Sequence, residues 1–407
     1  MESSFISLFW IALCGVIAPL MAGMIPRRLV PEVVILLIAG MVIGPFGLGL
    51  AETDAAIGLL RELGLAMLFL LAGFEVELKE LTGRSGRRAL GTWGACFALA
   101  LVLVFFAGLT GVIHAEVAIA IALCSTALGT LLPIMKDGGL LGTPVGNSVM
   151  NHGAWGELGP VVAMAILLGT GGAGQATVAI IMFGLIALAV TLPWRRLRRD
   201  TSKVFSVIQA GSETTGQTTV RLTVLLLVAL CVLAELFDLD VVLGAFAAGF
   251  VLRQAIPQGD EQLEHKLNGL AFGMLIPVFF VTSGMAIDAR AVAAAPAVLI
   301  IFVLLIVAVR GLPVFVSSRL ERDRLSGARL FGTRESVRIG LFAATGLPII
   351  VAVTATAVSA GQMTEANASV LVAGGAVTVL TMPLLATLLG GRTGVSDVSP
   401  SGPASPR

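Results

Sequence analysis

Two side chains in this sequence carry charge where charge is costly. Glu157 stands near the middle of GTPVGNSVMNHGAWGELGPVVAMAILL, residues 142 to 168, a stretch long enough to cross a bilayer. Arg310 lies inside VLIIFVLLIVAVRGLPVFVSS, another apolar segment. Intramembrane charges are uncommon, face a bundle interior or a wet cavity, and usually mark an ion or proton path. A carboxylate can hold either a proton or a dehydrated cation. Burial favours the proton on such a group and a nearby positive charge disfavours it, so a balance of the two lets proton and cation compete. Arginine cannot release a proton at accessible pH, which suits it to be a fixed charge partner. The bland alternative is a buried ion pair that holds a bundle together and carries nothing.

Other residues can serve the same chemistry. Pro160 lacks the amide hydrogen that would pair with the carbonyl of Gly156, leaving that oxygen to coordinate a cation beside Glu157. Ser125 and Thr126 offer hard hydroxyl oxygens suited to an alkali cation, although such residues also serve as packing glue between membrane helices. Asn147, Asn151 and His152 precede Glu157 and are candidates to line a vestibule, with a packed, satisfied imidazole as the plainer reading of His152. Glu75, Glu77, Asp238 and Asp240 fall at segment ends and read as interfacial.

The elements that must position these residues are membrane spans. With 57% hydrophobic and 13% charged residues, a chain of 407 residues is a polytopic membrane protein. A net charge of +1 and the absence of basic tracts interleaved with aromatics exclude nucleic-acid binding. Four cysteines without metal-ligand or CxxC spacing read as small core residues, and no motif calls for a cofactor. The N-terminus lacks a basic region and a cleavage site, so it reads as a first span and not a signal peptide.

Length and hydropathy predict thirteen spans: 6–25, 31–50, 57–76, 90–112, 115–135, 144–169, 175–193, 219–237, 239–254, 268–286, 291–318, 336–360 and 366–390. Placing the N-terminus outside and the C-terminus in the cytoplasm puts 23 of the 26 Lys and Arg residues inside and only Arg61 and Arg290 outside. The seventh span then separates six helices, in about 1–170, from six of opposite orientation, in about 219–390. Inverted repeats place substrate sites near the midplane, where helices are broken. The fifth and twelfth spans correspond, and both are interrupted: Gly129 and Pro133 follow Ser125 and Thr126 in one, and Thr345, Gly346 and Pro348 stand together in the other. Residues 1–390 thus form one membrane domain, and the Ser, Pro and Gly rich tail, 391–407, reads as disordered.

Several stretches together resemble the monovalent cation:proton antiporter superfamily, in particular its Kef-type and NapA-type exchangers. They are RRLVPEVVILLIAGMVIGP, LAMLFLLAGFEVEL, ALCSTALGTLLPIMKD, GAWGELG, PVFFVTSGMAID and the basic residue of the eleventh span. The resemblance implies an NhaA-like antiporter fold, with Glu157 at the ion-binding position and Arg310 as the span-eleven base. It places the broken fifth helix at Ser125 to Ala127. It also implies a homodimer in which a six-helix bundle moves past a dimer-forming panel. Two departures stand out: Gly156 replaces an acid or amide before Glu157, and TGLP at 345–348 replaces a carboxylate-bearing GGEF motif. The function expected is exchange of Na+ or K+ for H+ across the plasma membrane. An organic-anion symporter on the same architecture would want more polar residues at the crossing, and a non-transporting membrane sensor is the third reading.

Overall fold

The computed structural model describes residues 2–25, 30–76, 81–108, 115–168, 181, 184, 217–256, 260–322 and 327–390. The protein is an all-α polytopic membrane protein. Among the described residues, eight helices or helix pairs are long and apolar enough to cross a bilayer, and three shorter apolar helices accompany them.

In chain order the helices are α1 (Glu2–Met24), α2 (Glu32–Ile43), α3 (Ala55–Glu75), α4 (Arg84–Gly108), α5 (Glu116–Leu123), α6 (Leu128–Asp137) and α7 (Pro144–Leu167). There follow α8 (Thr218–Leu236), α9 (Val241–Ala255), α10 (Glu261–Leu270), α11 (Ile276–Met285), α12 (Ala289–Ala294), α13 (Pro296–Ile306), α14 (Leu312–Arg319), α15 (Thr333–Ala343), α16 (Leu347–Ser359) and α17 (Glu365–Gly390). Twelve of the thirteen expected spans coincide with these helices. The seventh, 175–193, lies outside the described residues apart from Ile181 and Gly184, and the tail 391–407 lies wholly outside them. Several boundaries differ from expectation, and the tenth span begins seven residues early, at Glu261. Span two ends early, at Ile43, where Gly44 and Pro45 stop the helix; span four begins at Arg84, with basic residues in its first turn.

Local chemistry sets the helix starts. Asp54 caps α3 through the Ile57 amide (2.9 Å), Thr143 caps α7 through the Gly146 amide (3.1 Å), and Asp240 caps α9 through the Val242 amide (2.9 Å). Proline explains the two wide turns. Pro277 and Pro313 each lack the amide of a regular helix, and the residue just before each donates five residues back, from Ile276 to Ala271 and from Leu312 to Val307. The second of these π turns, Val307–Gly311, carries Arg310.

Packing divides the helices into two bodies. One holds α1, α2, α3, α8, α9, α10 and α11; the other holds α4 to α7 and α13 to α17. Within the first, α3 pairs with α9 much as α11 pairs with α2. Small residues permit these contacts: a Cβ at Gly73 would meet the Phe246 carbonyl, and one at Gly249 the Leu70 carbonyl. Between the bodies, helix contacts are sparse, chiefly α3 with α6, α9 with α7 and α2 with α17.

Candidate functional site

The two interrupted helices meet in the second body. Between α5 and α6, residues Cys124 to Ala127 leave the helix, and between α15 and α16, Ala344 to Gly346 do the same. Backbone groups freed by a break need partners at this depth, and donors of the first break meet carbonyls of the second. The Ala127 amide donates to the Thr345 carbonyl (2.6 Å), and the Thr126 hydroxyl donates to the Ala343 carbonyl (2.6 Å). Ser125 donates to its own helix at Ala122 (2.8 Å) and across to Gly346 (3.4 Å). A Cβ at Gly346 would collide with the Ser125 hydroxyl, so glycine is what lets the breaks cross.

Helix α7 runs beside this crossing and locks onto it. The Thr126 amide donates to the Gly156 carbonyl (2.9 Å). Pro160 does release that carbonyl from α7, as the sequence indicates, and the oxygen accepts the Thr126 amide of the break. One residue on, the Glu157 carboxylate meets the first turn of α6: Oε1 accepts the Leu128 amide at 2.5 Å and the Gly129 amide at 3.4 Å. A carboxylate at the positive end of a helix is stabilised both by these amides and by the helix dipole. Glu157 Oε2, also buried, has no partner among the described residues.

Arg310 sits on the other side of the break segment. It is the largest fully buried side chain, at 0% exposure. Its Nε donates to the Thr126 hydroxyl (3.0 Å), its Nη2 to the His152 carbonyl (2.6 Å), and its Nη1 faces the Cys96 sulfur at 3.8 Å. It makes no ion pair with Glu157. The buried ion pair of the bland alternative is thus not formed, and each charge is held by the crossing instead. The Gly156 departure has a physical reason. A Cβ there would lie 2.5 Å from both Arg310 Nη2 and the Thr126 hydroxyl, so the guanidinium fills the space of a side chain at this position.

A cavity of about 600 Å³ separates the bodies at the end of the molecule bearing Glu32 and Gly138, and its wall reaches Gly129 and Thr130 in the first turn of α6. A second, of about 860 Å³, opens at the opposite end, among Glu52, Glu62, Glu235 and Asp240, and stops at Val351 and Ala352 in α16.

The profile described as "Sodium/hydrogen exchanger, transmembrane" matches residues 10–391, nearly the whole chain. The chain belongs to the sodium/hydrogen exchanger family. That family consists of transporters and not enzymes. Relatives agree: GerT of Bacillus cereus, named "Probable Na(+)/H(+) antiporter GerT", is 24% identical over 369 residues, covering 86% of this chain and 91% of its own. YjbQ of Bacillus subtilis is 26% identical over 274 residues, covering 64% of this chain but 44% of that protein, so the chain spans under half of that relative's length. The structure of the sodium proton antiporter MjNhaP1 from Methanocaldococcus jannaschii superposes with a TM-score of 0.64 over 95% of this chain and 97% of that one, at 17% identity, which shows a shared fold.

Other expected site residues of this chain fall elsewhere. Gly129 and Pro133 lie inside α6 and not in the break, because the amides that leave the helix belong to Thr126 and Ala127, several residues earlier. Thr345 and Gly346 are in the second break, and Pro348 starts α16, where its missing amide costs nothing. Asn147, Asn151 and His152 line neither cavity. Asn147 is exposed, Asn151 donates to the Ser85 hydroxyl (3.2 Å), and His152 is buried with Nδ1 against the Ser148 carbonyl (2.9 Å). Residue Glu77 lies outside the described residues. Glu75, read as interfacial, is half-buried at the end of α3 with a fully buried Oε2 that has no partner, and it lies within Coulombic range of Glu157. Its place at a segment end hid it, since position along the chain says nothing of what packs across it.

Proposed function

We propose that this protein is a secondary antiporter that exchanges a monovalent cation, Na+ or K+, for a proton at Glu157. One observation carries the reading: Glu157 is anchored through Oε1 on the start of α6 while Oε2 is buried and unpartnered. A buried polar atom without a partner is costly unless it serves a purpose. A proton or a dehydrated alkali cation on Oε2 would satisfy it. Two states of one carboxylate then compete, which is the requirement for coupled exchange. Because the oxygens of Ser125, Thr126 and Gly156 are bonded within the crossing, Glu157 supplies the charged ligand and those residues shape its surroundings.

Alternating access follows from the two bodies. The cavity that reaches Gly129 is read as the cytoplasmic vestibule, with the N-terminus outside and the C-terminus inside, in the plasma membrane. Movement of the second body against the first would close it and open the opposite cavity to the site. The paired helices of the first body and the paired breaks of the second fit two inverted six-helix repeats, 1–170 and 219–390, joined by a helix at 175–193 within one domain, 1–390. A homodimer built on the first body completes the proposal. Exchange is electroneutral in this scheme: ionised Glu157 with a cation and Arg310 sum to +1, as do protonated Glu157 and Arg310.

Reconstitution tests it. Proteoliposomes loaded with a pH-sensitive dye are expected to show proton movement on addition of Na+ or K+ salts and none on addition of choline. Absence of cation-driven proton movement by correctly inserted protein would reject the proposal.

A further inference from the structure

We propose that Thr126 is a positioning residue for Arg310, holding the guanidinium on the far side of the crossing so that the Glu157 carboxylate stays open to its cation. This rests on the reading of Glu157 as the exchange site. A threonine hydroxyl has one hydrogen and two acceptor positions. Here the hydrogen goes to the Ala343 carbonyl at 2.6 Å and one acceptor position takes Arg310 Nε at 3.0 Å. The backbone is pinned as well, through the Thr126 amide on the Gly156 carbonyl at 2.9 Å, and the residue is 0% exposed. The hydroxyl is thus a rigid bridge between Arg310 and the last carbonyl of α15, the negative end of that helix.

The need for a bridge comes from what lies beside it. Arg310 Nη2 is so close to Gly156 that a Cβ would lie 2.5 Å away, and the next residue is Glu157. Charge-assisted bonds from a guanidinium to a carboxylate are stronger than those to neutral acceptors. A released guanidinium would therefore turn toward Glu157 and occupy its free oxygen. Among the described residues, only the Thr126 hydroxyl and the His152 carbonyl accept full hydrogen bonds from Arg310, the contact at Cys96 being with sulfur. The His152 carbonyl is backbone, so Thr126 is the side chain on which this placement depends.

The experiment compares Thr126→Val, which keeps the size and loses the hydroxyl, with Thr126→Ser, which keeps the hydroxyl. Cation KM and maximal rate are measured in proteoliposomes, and the melting temperature of purified protein is measured with and without Na+ or K+ against choline. Thr126→Val is expected to raise the cation KM about tenfold, the low end for loss of an outer-shell partner, and to shrink the cation-induced rise in melting temperature. Thr126→Ser is expected to restore both. In an Arg310→Lys background, which lacks Nε and the planar fork, Thr126→Val is expected to add little, because the two residues act as one unit. An equal rise in KM in that background would show that Thr126 acts on the cation directly and would overturn the inference, as would Thr126→Ser behaving like Thr126→Val. If Arg310→Lys does not fold, the Val and Ser melts decide: an unchanged cation-induced rise in Thr126→Val overturns it. Wild-type protein that neither exchanges nor responds to cation in the melt would instead reject the function on which the inference rests.

Discussion

The two buried charges lie on either side of one short break segment and are held in opposite ways. Arg310 is bonded to neutral oxygens, the Thr126 hydroxyl and the His152 carbonyl. Glu157 is half committed, with Oε1 on the α6 amides and Oε2 empty of partners. An arginine cannot give up its proton, so in the proposed cycle Arg310, buried with its acceptors satisfied, would be the constant member. A carboxylate can change state, and in the proposed exchange the spare oxygen is where that change would occur. Breaking a buried ion pair by removing one partner leaves an uncompensated charge, at a typical cost of 3–5 kcal/mol. In the proposed exchange, separating the two charges would let Glu157 alternate between proton and cation without breaking such a pair on every turnover.

Removing the variable member is expected to have the largest effect. Glu157→Gln keeps the shape and can still accept the α6 amides, but it holds neither charge state. It is expected to abolish cation-dependent proton movement while insertion and helix content remain. Glu157→Asp, one methylene shorter, is expected to retain part of the rate at a weaker cation affinity. Transport by Glu157→Gln at near wild-type rate would reverse the roles assigned to the two charges.

Crowding the constant member comes next. Gly156→Ala places a methyl 2.5 Å from both Arg310 Nη2 and Thr126 Oγ1, and 2.6 Å from the Thr126 Cβ, which cannot swing aside. Overpacking of this kind costs about 1–3 kcal/mol. Loss of thermal stability with a collapsed maximal rate is the expected result. A melting temperature unchanged from wild type would show that the guanidinium does not occupy that space.

The third prediction separates the charges by voltage. With Glu157 as the only carrier of a changing charge, the pH gradient at which net flux vanishes is expected not to move when membrane potential is clamped at different values. His152 is not expected to act as a second proton site: Nδ1 faces a carbonyl and so carries the ring hydrogen, and a further proton on the buried Nε2 would find no acceptor among the described residues. His152→Gln is accordingly expected to leave stoichiometry untouched. If the null point does shift with voltage, Glu75, with its own unpartnered buried oxygen near Glu157, is the residue to replace.

Much of this architecture is legible in the chain because its causes are local. Long apolar runs declare the spans, the Lys and Arg bias predicts which loops share a side, and Thr345, Gly346 and Pro348 mark the start of α16 through their own backbone preferences. The first break is legible only in part, since the family resemblance puts it at Ser125 to Ala127, where the helix does break, while the helix-breaking residues point elsewhere. Gly129 and Pro133 attract attention as helix breakers, yet both lie in α6, because the departure from the helix is driven by acceptors on Gly156 and Thr345, distant in sequence. The same holds for the Gly156 carbonyl, whose release by Pro160 is visible in sequence although its new partner is not. What Arg310 touches was hidden for a further reason. The π turn before Pro313 inserts a residue into the helix and turns the side chain away from where a regular 3.6-residue repeat would aim it.

Gly129→Ala gives the smallest expected effect and the sharpest control. Both Gly129 and Gly156 lie against Glu157, one through its amide and the other as its neighbour in the chain. A Cβ at Gly156 has no room, whereas one at Gly129 meets nothing within 4 Å and points into open space. The amide that faces Glu157 Oε1 at 3.4 Å is retained in alanine. Alanine also favours helix over glycine by about 1 kcal/mol, and Gly129 is the second residue of α6. Gly129→Ala is therefore expected to melt slightly higher than wild type, while exchanging with a near wild-type cation KM, the added methyl only narrowing a cavity of about 600 Å³. Paired measurements on the two variants would show whether the glycines of this site matter for the room they leave or for the conformations they permit. A stability loss at Gly129 as large as that at Gly156 would mean that α6 begins in a shape alanine cannot adopt, and the cap it provides for Glu157 would need to be redrawn.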